Sequence, residues 1–253
     1  MPAPPPVTLF PLPLAVDVHP GDSVADLLIE ALSANSFTLL PGDILVVKHK
    51  IVSKAEGGLV DLSTVQPSPE SLEWGERFGM DPRVTEIAVR QARRIVRRQR
   101  GITITETQHG FICANSGVDV SNVDGGRHAL LLPEDPDRSA LEIHNTLQQR
   151  LALTIPVIIT DTFGRPWREG LTEVAIGIAG MKPLDDVRGQ LDPYGYTLHV
   201  SVEAVADELA CAAGLVCGKL SRTPACVVRG FHYSPGPGSA RELIRPAEND
   251  LFR

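Results

Sequence analysis

Residues 157–165, Val-Ile-Ile-Thr-Asp-Thr-Phe-Gly-Arg, constrain this chain more than any other stretch. The apolar run from Thr154 to Thr160 reads as a buried strand. Thr160-Asp161-Thr162 is expected to end it, and Gly164 to turn the backbone. That arrangement delivers one carboxylate and two hydroxyls to a strand end, an all-oxygen set that Mg²⁺ or Mn²⁺ takes together with phosphate oxygens. A second oxygen-rich turn lies upstream, Asn115-Ser116-Gly117-Val118-Asp119-Val120-Ser121-Asn122. Taken singly, either stretch is also an ordinary Asx-rich turn. Two in one chain point to a metal–phosphate site.

A chain of 253 residues buries a full core as one large domain or two intimate lobes. Its net charge of −7 disfavours generic nucleic-acid binding, while leaving local anion sites open. Cys113, Cys211, Cys217 and Cys226 form no C-x-x-C pair, which excludes a zinc motif and a disulfide framework and leaves small buried apolar residues. Met-Pro-Ala-Pro-Pro-Pro at the N-terminus has no signal-peptide character, and the apolar stretches are too short to cross a bilayer. The expected compartment is the cytoplasm.

Strands are expected at Val7–Phe10, before a proline-broken turn at Pro11–Pro13, and at Ile44–Lys48, which runs into the turn 49–54. Others are expected at Ile102–Glu106, Phe111–Ala114, Thr172–Ala179, Leu198–Val202 and Pro224–Arg229. Ser23 and Asp26 predict a capped helix through Ala34. Residues 61–80 read as a polar, mobile excursion. Asp81-Pro82 opens a helix whose apolar face reaches Ile95 and whose other face carries Arg90, Arg93, Arg94, Arg97 and Arg98. Ser139–Leu151 and Val205–Leu215 are the remaining helices. Glycines alternating from Ala175 to Gly180 imply close approach to the backbone. Strands and helices without simple βαβ alternation give an α+β class with mixed and antiparallel sheets.

His49, Lys50 and Lys54 follow a strand, where lysines can meet phosphate oxygens as point charges. Gly214–Lys219 looks like a P-loop but is not one: its spacing is a residue short, Leu220 replaces Ser/Thr, and a helix precedes it. Arg165 and Arg168 flank Trp167 and are candidates for an anionic substrate. The arginine face reads as solvated surface or intersubunit salt bridges, and the acidic clusters Asp185-Asp186 and Glu203/Asp207/Glu208 read as an exposed face.

Taken in order, the segments Pro41-Gly-Asp through Val52-Ser-Lys-Ala-Glu-Gly, His109-Gly-Phe-Ile-Cys-Ala-Asn-Ser-Gly-Val-Asp-Val-Ser-Asn-Val and Val157–Arg165 resemble the coenzyme F420-0:L-glutamate ligase (F420-0:gamma-glutamyl ligase) family. So do Asp192-Pro-Tyr-Gly, Val205-Ala-Asp-Glu, Pro224-Ala-Cys-Val-Val-Arg-Gly and Asn249-Asp-Leu-Phe, most like the ligase domain of the bacterial two-domain form. No nitroreductase-like second domain or FMN role is carried over.

The resemblance implies one catalytic domain over residues 1–253, an unusual α+β fold and an intertwined homodimer. It implies GTP-dependent amide formation between L-glutamate and a deazaflavin phospholactate, with Mg²⁺ or Mn²⁺ and with K⁺ as a further candidate cation. Asp119, Asp161 and Thr162 match metal positions, and Asp119, Asp161 and Lys54 would carry catalysis. Ala15, Val16, Asp17, Val18, His49, Lys50, Lys54 and Asn122 match nucleotide contacts, with Gly218 and Lys219 in the segment against the nucleotide. Leu14–Asp17 departs from the family's Gly-Leu/Ile-Pro pattern, and Lys219 stands where some relatives carry an acid. The rival readings are an amide ligase for another phosphorylated acid and a GTP- and metal-binding regulator without turnover. Neither membrane nor nucleic acid is an expected partner.

Overall fold

The computed structural model describes residues 5–121, 123 and 125–251. In chain order the strands are β1 (Thr8–Leu12), β2 (Ile44–Lys48), β3 (Leu59–Asp61), β4 (Ala92–Gln99), β5 (Ile102–Thr107), β6 (Ile112–Ala114), β7 (His128–Leu130), β8 (Val157–Arg165), β9 (Arg168–Ala179), β10 (Asp185–Asp186), β11 (Val202–Glu203) and β12 (Ala225–Arg229). The helices are α1 (Val24–Ala34), α2 (His49–Ala55), α3 (Pro69–Phe78), α4 (Pro82–Gln91), α5 (Pro136–Leu151) and α6 (Val205–Gly214). None is long and apolar enough to cross a membrane.

The principal sheet has the order β1-β12-β2-β8-β9. Its β2–β8 pair is parallel and the other pairs are antiparallel, so the sheet is mixed and the class is α+β. Ile44, Leu45 and Val47 of β2, with Val157, Ile158 and Ile159 of β8, have no exposed surface. Helix α5 packs on β8 and β9 and carries α1, while α6 packs mainly on β9 and β12. Edge strand β9 does not leave its outward N–H groups bare: Ala175 donates to Asp207 of α6 and Ile178 to Asp137 of α5. Between them lies a bulge, because Ile159 pairs with Gly177 and Thr160 with Ala175.

A smaller apolar cluster, Leu62, Val65, Ile87 and Ala129, sits beside the main core. Around it are α3, α4, the β3–β7 pair and the sheet β4-β5-β6. Buried Glu86 ties α4 to the start of α3. It accepts from the Ser68 N–H at 2.9 Å, the Ser71 hydroxyl at 2.9 Å and the Arg90 guanidinium at 2.9 Å. The Ser68 hydrogen bonds lead in pulling its carboxyl from 4.5 down to about 2.

Several expectations change. Strand β8 does not end at Thr160; paired with β9, it runs to Arg165, and the turn falls at Pro166 and Trp167. Residues 49–55 are a helix, not a turn, because Ile51, Val52 and Ala55 bury one face. Residues 69–78 form α3, capped by Ser68, started by Pro69 and stopped by left-handed Gly79. The arginine helix ends at Gln91; Arg93, Arg94, Arg97 and Arg98 lie on β4 because Ala92–Gln99 pairs with β5. Strand β1 runs through Pro11, which an edge strand tolerates. Of Leu198–Val202, only Val202 joins a strand, β11. The four cysteines are free, and three of them are buried.

Two outcomes are expected. A Cβ on Gly177 would stand 2.2 Å from the Pro136 carbonyl oxygen, so Gly177→Ala displaces the start of α5 and costs about 1–3 kcal/mol or more in chemical denaturation. The Glu86 carboxyl is depressed on folding, so its contribution is complete above its ordinary value of 4.5 and is lost as pH falls toward about 2. Glu86→Gln is therefore less stable than the parent at neutral pH, and the gap closes in acid melts.

Candidate active site

The parallel register of β2 and β8 sets Lys48 beside Thr160, so polar side chains follow the apolar runs of both central strands at the same end of the sheet. His49 begins α2 there and Asp161 follows Thr160. They line a cavity of about 440 Å³. Val16, Asp17 and Val18 form part of its wall; Gly218 and Lys219, in the turn after α6, form another part. Lys50, Lys54, Asp119 and Thr162 also face it. Of the residues expected from the sequence, Ala15 is exposed and does not line the cavity, and Asn122 lies outside the described residues. Arg165 and Arg168 sit at the β8–β9 tip, where Arg165 bonds the Glu169 carbonyl instead of facing the cavity.

Asp119 arrives from the smaller cluster. Asn115, Ser116 and Gly117 all adopt left-handed φ (52°, 55° and 71°), and the buried Ser116 hydroxyl fixes this bend by donating to the Ala88 carbonyl at 2.6 Å. Asp119 then exchanges both backbone hydrogen bonds with Leu130. Burial by itself would raise its carboxyl, but the Lys50 ammonium at 2.7 Å and the Ser121 N–H at 2.6 Å outweigh it and hold the group below its ordinary value.

Sequence reasoning missed Glu173, on the strand that returns alongside Asp161. It accepts from the Thr160 hydroxyl at 3.0 Å and the Thr162 hydroxyl at 2.8 Å, and forms an ion pair with Lys48. Gly214 lets the last turn of α6 close over it, since a Cβ there would meet the Glu173 Cγ at 2.7 Å. The Thr162–Glu173 pairing follows from the hairpin register, which no local motif encodes. Lys48 and Ser53 were also unassigned.

Asp161 is placed differently. Its Oδ1 accepts the Thr162 N–H at 2.7 Å and lies 3.2 Å from the His49 Nε2, without the alignment of a hydrogen bond. Among the described residues no lysine or arginine pairs with it. Its negative charge also reaches Cys113, whose thiol is pushed up to about 12, first by burial and then by Asp161.

Among the described residues no three His, Cys, Asp or Glu side chains form a ready-made metal cluster. The donors instead suit a cation whose shell is completed by a phosphate-bearing ligand. Among the described residues Asp161 has no lysine or arginine partner, and Thr162 spends its proton on Glu173, which leaves its oxygen lone pairs to accept. A larger cavity of about 780 Å³, beside Glu56, His109 and Ser139, is lined by none of the expected residues.

The family model described as F420-0:Gamma-glutamyl ligase matches residues 15–230. A relative named coenzyme F420:L-glutamate ligase, from Methanothermobacter thermautotrophicus, is 46% identical over 239 residues, 93% of this chain and 94% of its own. Relatives of the same name are 44% identical in Methanopyrus kandleri, over 98% of each chain, and 41% identical in Methanocaldococcus jannaschii, over 84% of this chain and 85% of the relative. This chain belongs to the F420-0:gamma-glutamyl ligase family.

Proposed function

We propose that the chain is a GTP-dependent ligase that joins L-glutamate to coenzyme F420-0 with Mg²⁺ or Mn²⁺, working as one catalytic domain in a cytoplasmic homodimer. The observation that carries this reading is the gathering of Lys50, Lys54, Asp119, Asp161 and Thr162 around one cavity, in a chain that aligns nearly end to end with relatives named as this ligase. K⁺ is a further candidate cation, and γ-linked addition of more than one glutamate is compatible with the same chemistry.

A carboxylate does not acylate an amine at neutral pH, so it must first be activated. In the proposed reaction a carboxylate oxygen of the F420-0 phospholactate attacks the γ-phosphorus of GTP. The bond to the β-phosphate oxygen breaks, giving GDP and an acyl phosphate. The glutamate amine, as the free base, then attacks the acyl carbon, and inorganic phosphate leaves as the amide forms.

The chain's part is positioning and charge. Val16–Val18 and Gly218-Lys219 are the walls against which the nucleotide would lie, His49 and Asn122 are further contacts, and Ala15 would contribute from just outside the lining. Lys54 has no ion-pair partner among the described residues and would meet phosphate oxygens directly. Lys50 reaches both Asp119 and the cavity, so it would exchange its carboxylate partner for phosphate when nucleotide enters. Asp119, Asp161 and Thr162 would hold the divalent cation. That cation, when bound, neutralises charge developing on the transferred phosphoryl group.

The direct test is mass spectrometry on protein incubated with GTP, Mn²⁺, L-glutamate and coenzyme F420-0. Glutamyl adduct with matching GDP is expected. GDP without adduct would favour another phosphorylated acid as acceptor, and bound GTP with neither product would favour a regulator. Asp161→Ala is expected to keep the fold, by circular dichroism, while lowering kcat at least about 100-fold. Near-normal turnover of that variant at saturating Mn²⁺ would remove the metal role of Asp161.

A further inference from the structure

After α6 the chain passes from Cys217 through residues 218–224 to β12, where Cys226 is the second residue. Cys217, Gly218, Lys219, Leu220, Arg222 and Thr223 all line the cavity, so this loop is one of its walls. The middle of the wall is open to solvent, with Leu220 95% exposed. Its two ends are closed: Cys217 is 4% exposed and Cys226 has no exposed surface. The loop is therefore slung between two buried sulfurs.

Those sulfurs meet. The Cys217 thiol donates to the Ala225 carbonyl at 3.3 Å, the peptide oxygen immediately before Cys226. The two thiols also hydrogen-bond one another, and the effect on them is opposite. That bond, helped by the Lys48 ammonium, draws the Cys217 thiol below its ordinary 9.0. The same bond, and then burial, push the Cys226 thiol up. One sulfur at a cavity wall thus favours the thiolate while its neighbour in the core keeps its proton. Packing as small apolar residues explains why both are buried, but not why they are paired at a cavity. Cys113, pushed up to about 12 by burial and then by Asp161, is held as an inert thiol by comparison.

We propose that Cys217 and Cys226 form a reversible disulfide that ties the two ends of this wall together and makes the cavity redox-sensitive. The effect on ligand binding rests on the preceding reading that nucleotide lies in this cavity. The oxidant is a small hydroperoxide, which reaches Cys217 through the cavity. The Cys217 thiolate attacks its terminal oxygen, the O–O bond breaks, and the alkoxide or hydroxide takes up a proton and leaves. Cys217 is then a sulfenic acid. The Cys226 sulfur attacks it as the S–O bond breaks, and hydroxide leaves with the Cys226 proton as water. The cysteine pair gives up two electrons and the hydroperoxide accepts them; an added dithiol reverses the change by exchange.

A disulfide requires the sulfurs to close to about 2.05 Å. Cys226 cannot move, because β12 is paired on both sides, with Cys226 opposite Pro11 of β1 and Val46 of β2. Cys217 must move instead, and Gly218 and Lys219 are drawn toward the sheet with it. Loss of one contact to a charged phosphate corresponds to nucleotide affinity lower by about tenfold or more.

The test treats the whole protein with hydrogen peroxide, blocks remaining thiols with N-ethylmaleimide and maps the cysteines by peptide mass spectrometry. A Cys217–Cys226 linked pair, lighter by two hydrogens than the dithiol, is expected, with Cys113 and Cys211 carrying the maleimide. GDP titrations with Mn²⁺ should show about tenfold weaker binding after oxidation, restored by dithiothreitol. Cys226→Ala should bind GDP like the reduced parent and keep that affinity after peroxide. Oxidation of Cys217 without linkage to Cys226 would overturn the disulfide. A disulfide with unchanged GDP affinity would overturn its effect on the cavity. Failure of the reduced parent to bind GDP, seen before oxidant is added, would overturn the nucleotide reading and that effect with it. The mapping and the titration of oxidised parent stand even if Cys226→Ala fails to fold.

Discussion

The parallel pairing of β2 with β8 is the constraint on which the rest depends. Both strands are apolar and buried on both faces, so a slip of one residue would draw the charged end of β2 into the core and misfit its close-packed side chains. That penalty locks Lys48 opposite Thr160. The residues that follow, His49 at the start of α2 and Asp161 within β8, then emerge together at one end of these two central strands. The antiparallel return of β9 adds Glu173 in the same way. Here the core sets the positions of the site residues.

Charge around the cavity is divided with the same economy. Asp119 is paired with Lys50 and Glu173 with Lys48, so each of these acids is already neutralised at close range. Among the described residues, the one basic side chain within ion-pair distance of Asp161 is a histidine. A cation entering the cavity therefore gains most at Asp161, whereas reaching Asp119 requires Lys50 to move. Phosphate oxygens give Lys50 an alternative partner. Metal and nucleotide binding are for that reason expected to support one another, although they occupy different residues.

The gathering of Asp119, Asp161 and Thr162 with Lys50 and Lys54 at one cavity was partly legible in the sequence, because oxygen-rich stretches and lysines after a strand are local signals, as is the capped helix α1. The expectations that failed were non-local. Strand β8 continues past Asp161 because β9 keeps pairing with it; Asp161 and Gly164 are turn formers and outweigh the strand preference of Thr162 and Phe163 in a local reading. Ala92–Gln99 keeps part of the helical arginine pattern, but pairing with β5 outweighs it. The helix at 69–78 had a Ser-Pro start and a Gly stop, and its polar composition concealed them. Glu173 could be found only from the hairpin register.

The account is tested most directly by anomalous diffraction at the manganese edge, on crystals grown with GDP and Mn²⁺. It predicts an anomalous peak within coordination distance of the Asp161 carboxylate, with the nucleotide phosphates in the cavity lined by Lys50 and Lys54. A peak in the larger cavity beside Glu56, or nucleotide bound away from the β2–β8 strand ends, would contradict it.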